Sequence, residues 1–204
     1  MNTVYFESKA ITPSKIICIG RNYVAHAKEL GNAVPDKPVI FIKPNSAIST
    51  SLRSGIDETL HYEGELCFLV INKQLAGVAF GLDLTKRETQ AKLKDKGLPW
   101  ERAKAFDGSA VFSQFVTLDN IDLAQLSLSL LIDGELRQQG GVDLMLFKPL
   151  DILEEVSHFL SLEDGDIIMT GTPAGVGPVI AGTHFEGKVN NNGNCLINAR
   201  WDAN

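Results

Sequence analysis

A chain of 204 residues, 44% hydrophobic and 22% charged, has the size and composition of one globular domain that buries its own core, residues 1–204 as a single unit. Its formal charge of −6 argues against nucleic acid as a partner, because phosphate binding wants a basic patch. No run reaches the ~18 apolar residues of a membrane span, and the N-terminus MNTVYFESKAITPSK lacks the basic-then-apolar pattern of a secretory signal.

In chain order, KIICIG (15–20) reads as a short buried strand and RNYVAHAKELG (21–31) as a helix stopped by Gly31. PVIFIKP (38–44) and ELCFLVI (65–71) read as strands, and AGVAFGLDLT (76–85) as a strand interrupted by glycine. KRETQAKLKDKG (86–97) reads as a helix closing on Gly97. LSLSLLIDGELRQQG (126–140) is strand, Asp133-Gly134 turn, strand, which is a hairpin signal. A helix is expected after Pro149, then a turn, a short strand and a Gly/Pro loop over 162–179. Strands and helices do not alternate, so a strand-rich α+β domain is expected rather than a doubly wound sheet. Cys18, Cys67 and Cys195 are odd in number and show no metal-ligand spacing. They read as reduced thiols, the first two in the core, and the compartment as cytoplasm.

Chemistry concentrates in four places. In HYEGELCFLV, strand alternation puts Glu63 and Glu65 on one face, and Asp83 ends an apolar run in FGLDLT. Three oxygen ligands suit a hard divalent cation, which turns mutual repulsion into shared coordination. E-x-E alone is equally the solvent face of an edge strand. His26 and Glu29, three apart on one helix face, are spaced for an imidazole oriented by a carboxylate, or for a plain surface pair. Lys104, between Trp100 and Phe106, either lays its stem on apolar surface or brings charge to a substrate carboxylate or oxyanion. In TGTPAGVGP, Thr170, Gly171 and Thr172 form either a carboxylate nest or a simple turn. The loop matches neither a Rossmann fingerprint nor a P-loop, and no G-x-S-x-G elbow or nucleophilic cysteine context is present.

These stretches resemble the fumarylacetoacetate hydrolase family, especially its small acylpyruvase-type members. The resemblance runs from about Lys15 to about Val189, through IGRNYVAHAKE, FIKPNSA, HYEGEL, GLDLTKRETQ, KGLPWERAKAFDG, DGELRQ and DGDIIMTGTPAGVGPV in the family's order. It implies a mixed β-sandwich roll, usually a homodimer. It implies that Glu63, Glu65 and Asp83 hold Mg²⁺, with Mn²⁺ or Ca²⁺ as substitutes, and that His26 and Glu29 form a catalytic dyad. By the same resemblance Lys104 is an active-site lysine, and Arg21, Gln90, Thr170, Gly171 and Thr172 lie near a small 2-oxo acid substrate. Two departures stand out. Only INKQLAG separates the metal strand from the aspartate strand, and Asp107 in KAFDGSAVFS adds negative charge near the expected substrate.

The implied activity is metal-dependent hydrolysis of acylpyruvates to pyruvate and a carboxylic acid, with His26 activating a water. The same enolate chemistry allows an oxaloacetate decarboxylase or an oxaloacetate keto–enol tautomerase. A further alternative is a scaffold that binds metal or ligand without turnover.

Overall fold

The computed structural model describes residues 1–29, 31 and 33–204. Its central sheet is mixed and curled. Side by side lie Val39–Pro44, Lys15–Gly20, Ile167–Met169, Gly64–Ile71, Gln74–Asp83, Ala110–Phe112 and Ile48–Ser49, and Val116–Thr117 also pairs with Gln74–Asp83. Ile167–Met169 runs parallel to Lys15–Gly20, and Ala110–Phe112 parallel to Ile48–Ser49. The other pairs in this sheet are antiparallel.

The apolar run GELCFLVI is buried on both faces as far as Val70. Cys67 and Leu69 pack with Ile16, Cys18, Phe115 and Met169 on one side of the sheet. Leu66, Phe68 and Val70 pack on the other side against a second, antiparallel sheet. That sheet is ordered Glu135–Gly141, Leu126–Ile132, His184–Asn191, Asn194–Asp202. In LSLSLLI, Leu126, Leu128, Leu130 and Ile132 turn inward, following the strand period of two. The helix Pro149–Ser157 lays Ile152 and Val156 on the same core.

The strand-rich α+β expectation therefore holds, with revised boundaries. The helix expected over 21–31 is formed over Val24–Glu29, and Gly31 follows in the left-handed region (φ 65°); position 30 of that stretch lies outside the described residues. The short link after Ile71 has a simple cause. Asn72 and Lys73 both have positive φ (51° and 60°) and form a two-residue turn, with Ile71 opposite Gln74. Asp133 and Gly134 (51° and 81°) turn the second hairpin in the same way. A third such turn, Asn192-Gly193 (50° and 78°), joins the two C-terminal strands, which the sequence reading left unassigned. All three cysteines are free; Cys18 and Cys67 are buried, and burial raises both thiols well above their ordinary pKa. Among the described residues no helix is long and apolar enough to cross a membrane.

Candidate metal centre and active site

Strand register assembles the carboxylates. Glu65 lies opposite Gly81, Gly64 opposite Leu82, and the Asp83 N–H donates to the Glu63 carbonyl at 2.9 Å. Glu63, Glu65 and Asp83 thus share one face. Each offers an oxygen within 4.8 Å of the others, and their exposures are 6%, 2% and 1%. Buried carboxylates at this spacing require compensation.

Two of the three have it. Glu63 accepts from Arg87 Nη2 at 2.5 Å and from Lys104 Nζ at 2.8 Å. Asp83 accepts from Lys104 Nζ through Oδ2 at 2.7 Å. Its Oδ1 lies 2.8 Å from Lys43 Nζ, an ion-pair distance, but without the alignment of a hydrogen bond. Glu65 accepts only the Gly171 N–H, at 2.8 Å, and has no cation partner among the described residues. Burial pushes Glu63 upward, yet the Lys104 and Arg87 charges outweigh it and hold that carboxyl far below its usual range. Burial, then the charges of Asp83 and Glu63, push Glu65 well above its usual range. A buried carboxylate lacking a cation beside two that have one, all donating oxygen, fits a hard divalent ion. The acidic triad is able to hold a metal.

The expected lysine is in contact with the triad. Lys104 ends the short helix Glu101–Lys104, and its Nζ donates to Glu63, Asp83 and the Thr85 hydroxyl (2.6 Å). Burial alone lowers its pKa, but Asp83 and Glu63 raise it more. All three of its hydrogens are engaged by protein, so the side chain fixes the orientation of Glu63 and Asp83.

His26 is buried and faces the same cavity as the triad. Its Nδ1 is 3.2 Å from Glu29 Oε2, and Glu29 Oε1 accepts the Gly175 N–H at 3.0 Å. Gly175 has φ +100°, and a Cβ there would fall 2.0 Å from the Arg137 carbonyl oxygen. Only glycine presents that N–H, so the 170s loop and the dyad are built together.

Part of the cavity wall is basic. Arg21 lines the cavity with φ 60°, a conformation unusual for a bulky residue and typical of functional sites. Among the described residues its side chain has no hydrogen bond or ion pair. Gln90 accepts from Arg87 Nη1 at 2.8 Å through Oε1, which leaves its amide N–H groups for the cavity. Burial, then Arg21 and Arg87, lower Lys94, which reports crowded positive charge. Phe41 and Trp100, with ring centroids 5.9 Å apart, form an apolar side.

Of the loop, Thr172 lines the cavity, whereas Thr170 and Gly171 stand behind it. The Thr170 hydroxyl donates to the Leu66 carbonyl (2.9 Å) and that of Thr172 to the Gly64 carbonyl (2.9 Å), so these donors brace the strand Gly64–Ile71. Asp107 is exposed and absent from the cavity wall, which removes the expected negative charge beside the substrate. The sequence reading missed Arg87, Lys94 and Lys43. The first two were detectable, since Arg87, Gln90 and Lys94 recur at helical spacing on one face. The signal for Lys43 is a lysine inside the apolar run VIFIKP.

Known proteins supply an independent test. The family described as Fumarylacetoacetate (FAA) hydrolase C-terminal matches residues 15–199. The chain is 41% identical over 187 residues to the oxaloacetate tautomerase YcgM of Escherichia coli, covering 83% of this chain and 85% of that one. It is 40% identical over 191 residues to the mitochondrial oxaloacetate tautomerase FAHD1 of Homo sapiens, covering 85% and 86%. Among solved structures, a fumarylpyruvate hydrolase from Pseudomonas aeruginosa in complex with Mn²⁺ and pyruvate superposes with a TM-score of 0.88 at 29% identity, covering 99% and 95%. The expectation of an acylpyruvate hydrolase is overturned by these tautomerase relatives, which match the alternative on the same site. The error has a chemical source. A His/Glu dyad does not reveal whether it takes its proton from water or from carbon.

Proposed function

Because the chain is an enzyme of the fumarylacetoacetate hydrolase family, we propose that it is an oxaloacetate keto–enol tautomerase working with a divalent cation held by Glu63, Glu65 and Asp83. The observation that carries this reading is the cavity's arrangement. One oriented imidazole shares the cavity with an acidic triad, and Arg21, without a hydrogen bond or ion pair among the described residues, adds to a basic lining suited to a second carboxylate. The relatives named for the same reaction support it.

Tautomerisation moves one proton between C3 and the 2-oxo oxygen and breaks no C–C bond. It therefore needs a positioned base and stabilisation of developing negative charge. A bound divalent cation supplies that stabilisation as a Lewis acid. His26 takes the C3 proton and, as imidazolium, gives it up to the 2-oxo oxygen, directly or through water, which yields the enol and restores the neutral base. Glu29 receives the Nδ1–H, fixes the tautomer and steadies the imidazolium that results. Gln90, its amide fixed by Arg87, donates to the substrate, and Arg21 pairs with the distal carboxylate. Residues 1–204 act as one catalytic domain.

The test follows enol absorbance and pyruvate together, with oxaloacetate and with Mg²⁺, Mn²⁺ or EDTA. Metal-dependent interconversion without pyruvate is expected, and His26→Ala is expected to lose about 10²-fold or more while keeping Mn²⁺ affinity. Pyruvate appearing as fast as the enol signal changes would reassign the reaction to decarboxylation. No acceleration over buffer would refute the proposal.

A further inference from the structure

Apart from Lys104, which orients Glu63 and Asp83, the proton-transfer scheme leaves one buried lysine unused among the described residues. Lys43, on the strand Val39–Pro44, is fully buried. Its Nζ donates to the backbone carbonyls of Lys104 and Ser109 and lies 2.8 Å from Asp83 Oδ1. Removing an ammonium from water is costly, and bracing two carbonyls needs a donor, not a charge. The charge has its own consequence. With every group ionised, Glu63, Glu65 and Asp83 stand against three cations in contact with them, Lys43, Lys104 and Arg87. Counted in the fully ionised form that a bound metal requires, these protein groups sum to zero without the ion.

We propose that Lys43 is a specificity-determining residue acting through charge: by balancing the triad it keeps the divalent ion loosely held and leaves the ion, the triad and its three paired cations with a net charge of two plus, added to the charges of Arg21 and Lys94 on the cavity wall, which favours a dianionic ligand over a monoanionic one. Without Lys43 the carboxylates outnumber the cations paired with them. The metal then binds tighter, and that same group with its ion is left with a net charge of one plus. This inference rests on the metal-dependent reading above and deepens it.

The discriminating feature is that two affinities move in opposite directions, whereas simple structural damage weakens both. Lys43→Met removes donor and charge; Lys43→Gln removes the charge and keeps a donor for the carbonyls. Calorimetry would give the Mn²⁺ dissociation constant of each. It would then give, at saturating Mn²⁺, the affinities for malate and for lactate, which share a 2-hydroxy acid head but differ by the distal carboxylate. Both variants are expected to bind Mn²⁺ at least about tenfold tighter, as for one unit charge a few ångströms away at an effective dielectric near 20. They are also expected to lower the malate-to-lactate preference about tenfold. Unchanged or weaker Mn²⁺ binding, or an unchanged preference, would overturn the proposal. So would failure of both variants to fold even with Mn²⁺ present, which would assign Lys43 to packing. Turnover is not read here. Binding that behaves as expected in a chain inactive on oxaloacetate would refute the activity alone, and a wild-type chain that binds no Mn²⁺ would refute both.

Discussion

Changing Glu65 to glutamine separates what the metal-free fold wants from what the metal wants. Glu65 is the carboxylate without a cation, and its oxygen lies within 4.8 Å of those of Glu63 and Asp83. Two unit charges at that separation repel by about 3–4 kcal/mol at an effective dielectric near 20. Both neighbours are already paired with Lys104, which screens them, so a net relief of about 1–3 kcal/mol is expected. Glutamine keeps an acceptor for the Gly171 N–H, whose 2.8 Å bond need not be lost. For a domain of this size, that relief raises the metal-free melting temperature by about 2–12 °C. The pH dependence fixes the sign. Glu65 is pushed upward by burial, then by Asp83 and Glu63. A carboxyl raised in the folded state imposes no penalty below its unfolded value of about 4.3. The penalty grows as pH rises toward the folded value and is complete above it. The wild-type protein in EDTA is thus expected to lose stability across that window, and Glu65→Gln is not. In Mn²⁺ at about 100 times its dissociation constant the wild type gains about 2.7 kcal/mol, and the variant loses most of that gain. Melting curves in EDTA and in Mn²⁺, at several pH values, test both halves. A variant that melts lower than wild type in EDTA, with the same pH slope, would refute the electrostatic reasoning. A retained Mn²⁺ shift would remove Glu65 from the ligand set.

Two further changes probe the frame around the site. Asp166 is buried and accepts from the Ser14 hydroxyl (2.7 Å), the Lys15 N–H (3.1 Å), Lys15 Nζ (2.5 Å) and the Glu163 N–H (2.8 Å). Burial opposes its ionisation, but these donors win and hold it below its usual range. Its contribution is present above the unfolded value of about 3.9 and is lost as pH falls through the lower folded value. Asp166→Asn should cost about 2–3 kcal/mol at neutral pH by denaturant melts, with the deficit shrinking in acid; a deficit independent of pH would count against this. Gln138 accepts the Gly64 N–H (2.8 Å) and donates to Thr172 Oγ1 (2.7 Å) and the Pro173 carbonyl (2.9 Å), tying the metal strand to the 170s loop. Gln138→Ala should cost about 2–3 kcal/mol and also weaken Mn²⁺ binding, because the loop carries the N–H that orients Glu65. A stability loss with unchanged Mn²⁺ affinity would separate the loop from the metal site.

The parts of this architecture legible in the sequence are those set by local rules. KIICIG and ELCFLVI are apolar on both faces because both faces are covered, and Asp133-Gly134 has the residues that a two-residue turn demands. E-x-E predicted a shared face because alternation is a property of one strand. The remainder depends on which strands meet. Nothing local says that Lys43 meets Asp83, since a run such as VIFIKP carries no record of its neighbours and three strands separate the two in the order of the sheet. The dyad was legible as a pair, but its anchor, the Gly175 N–H, comes from a distant loop. Asp107 looked threatening because it follows Lys104 closely in sequence; the chain leaves the short helix there and turns that carboxylate to solvent. The Asn192-Gly193 turn is a different case, a local signal that was present and passed over.

The tight turn at Asn72-Lys73 also bears on how the protein forms. All three metal-side carboxylates belong to the segment 63–83, which one antiparallel pairing closes on itself. Such a short loop closes at little entropic expense, and contacts local in sequence form quickly. The balancing ammonium groups do not share that advantage. Lys43 precedes the segment and Lys104 follows it, so each must be carried in by a separate docking event. Repulsion is therefore built into a pairing local in sequence and its relief into contacts of longer range, so the site is complete only when both lysines have docked on the hairpin.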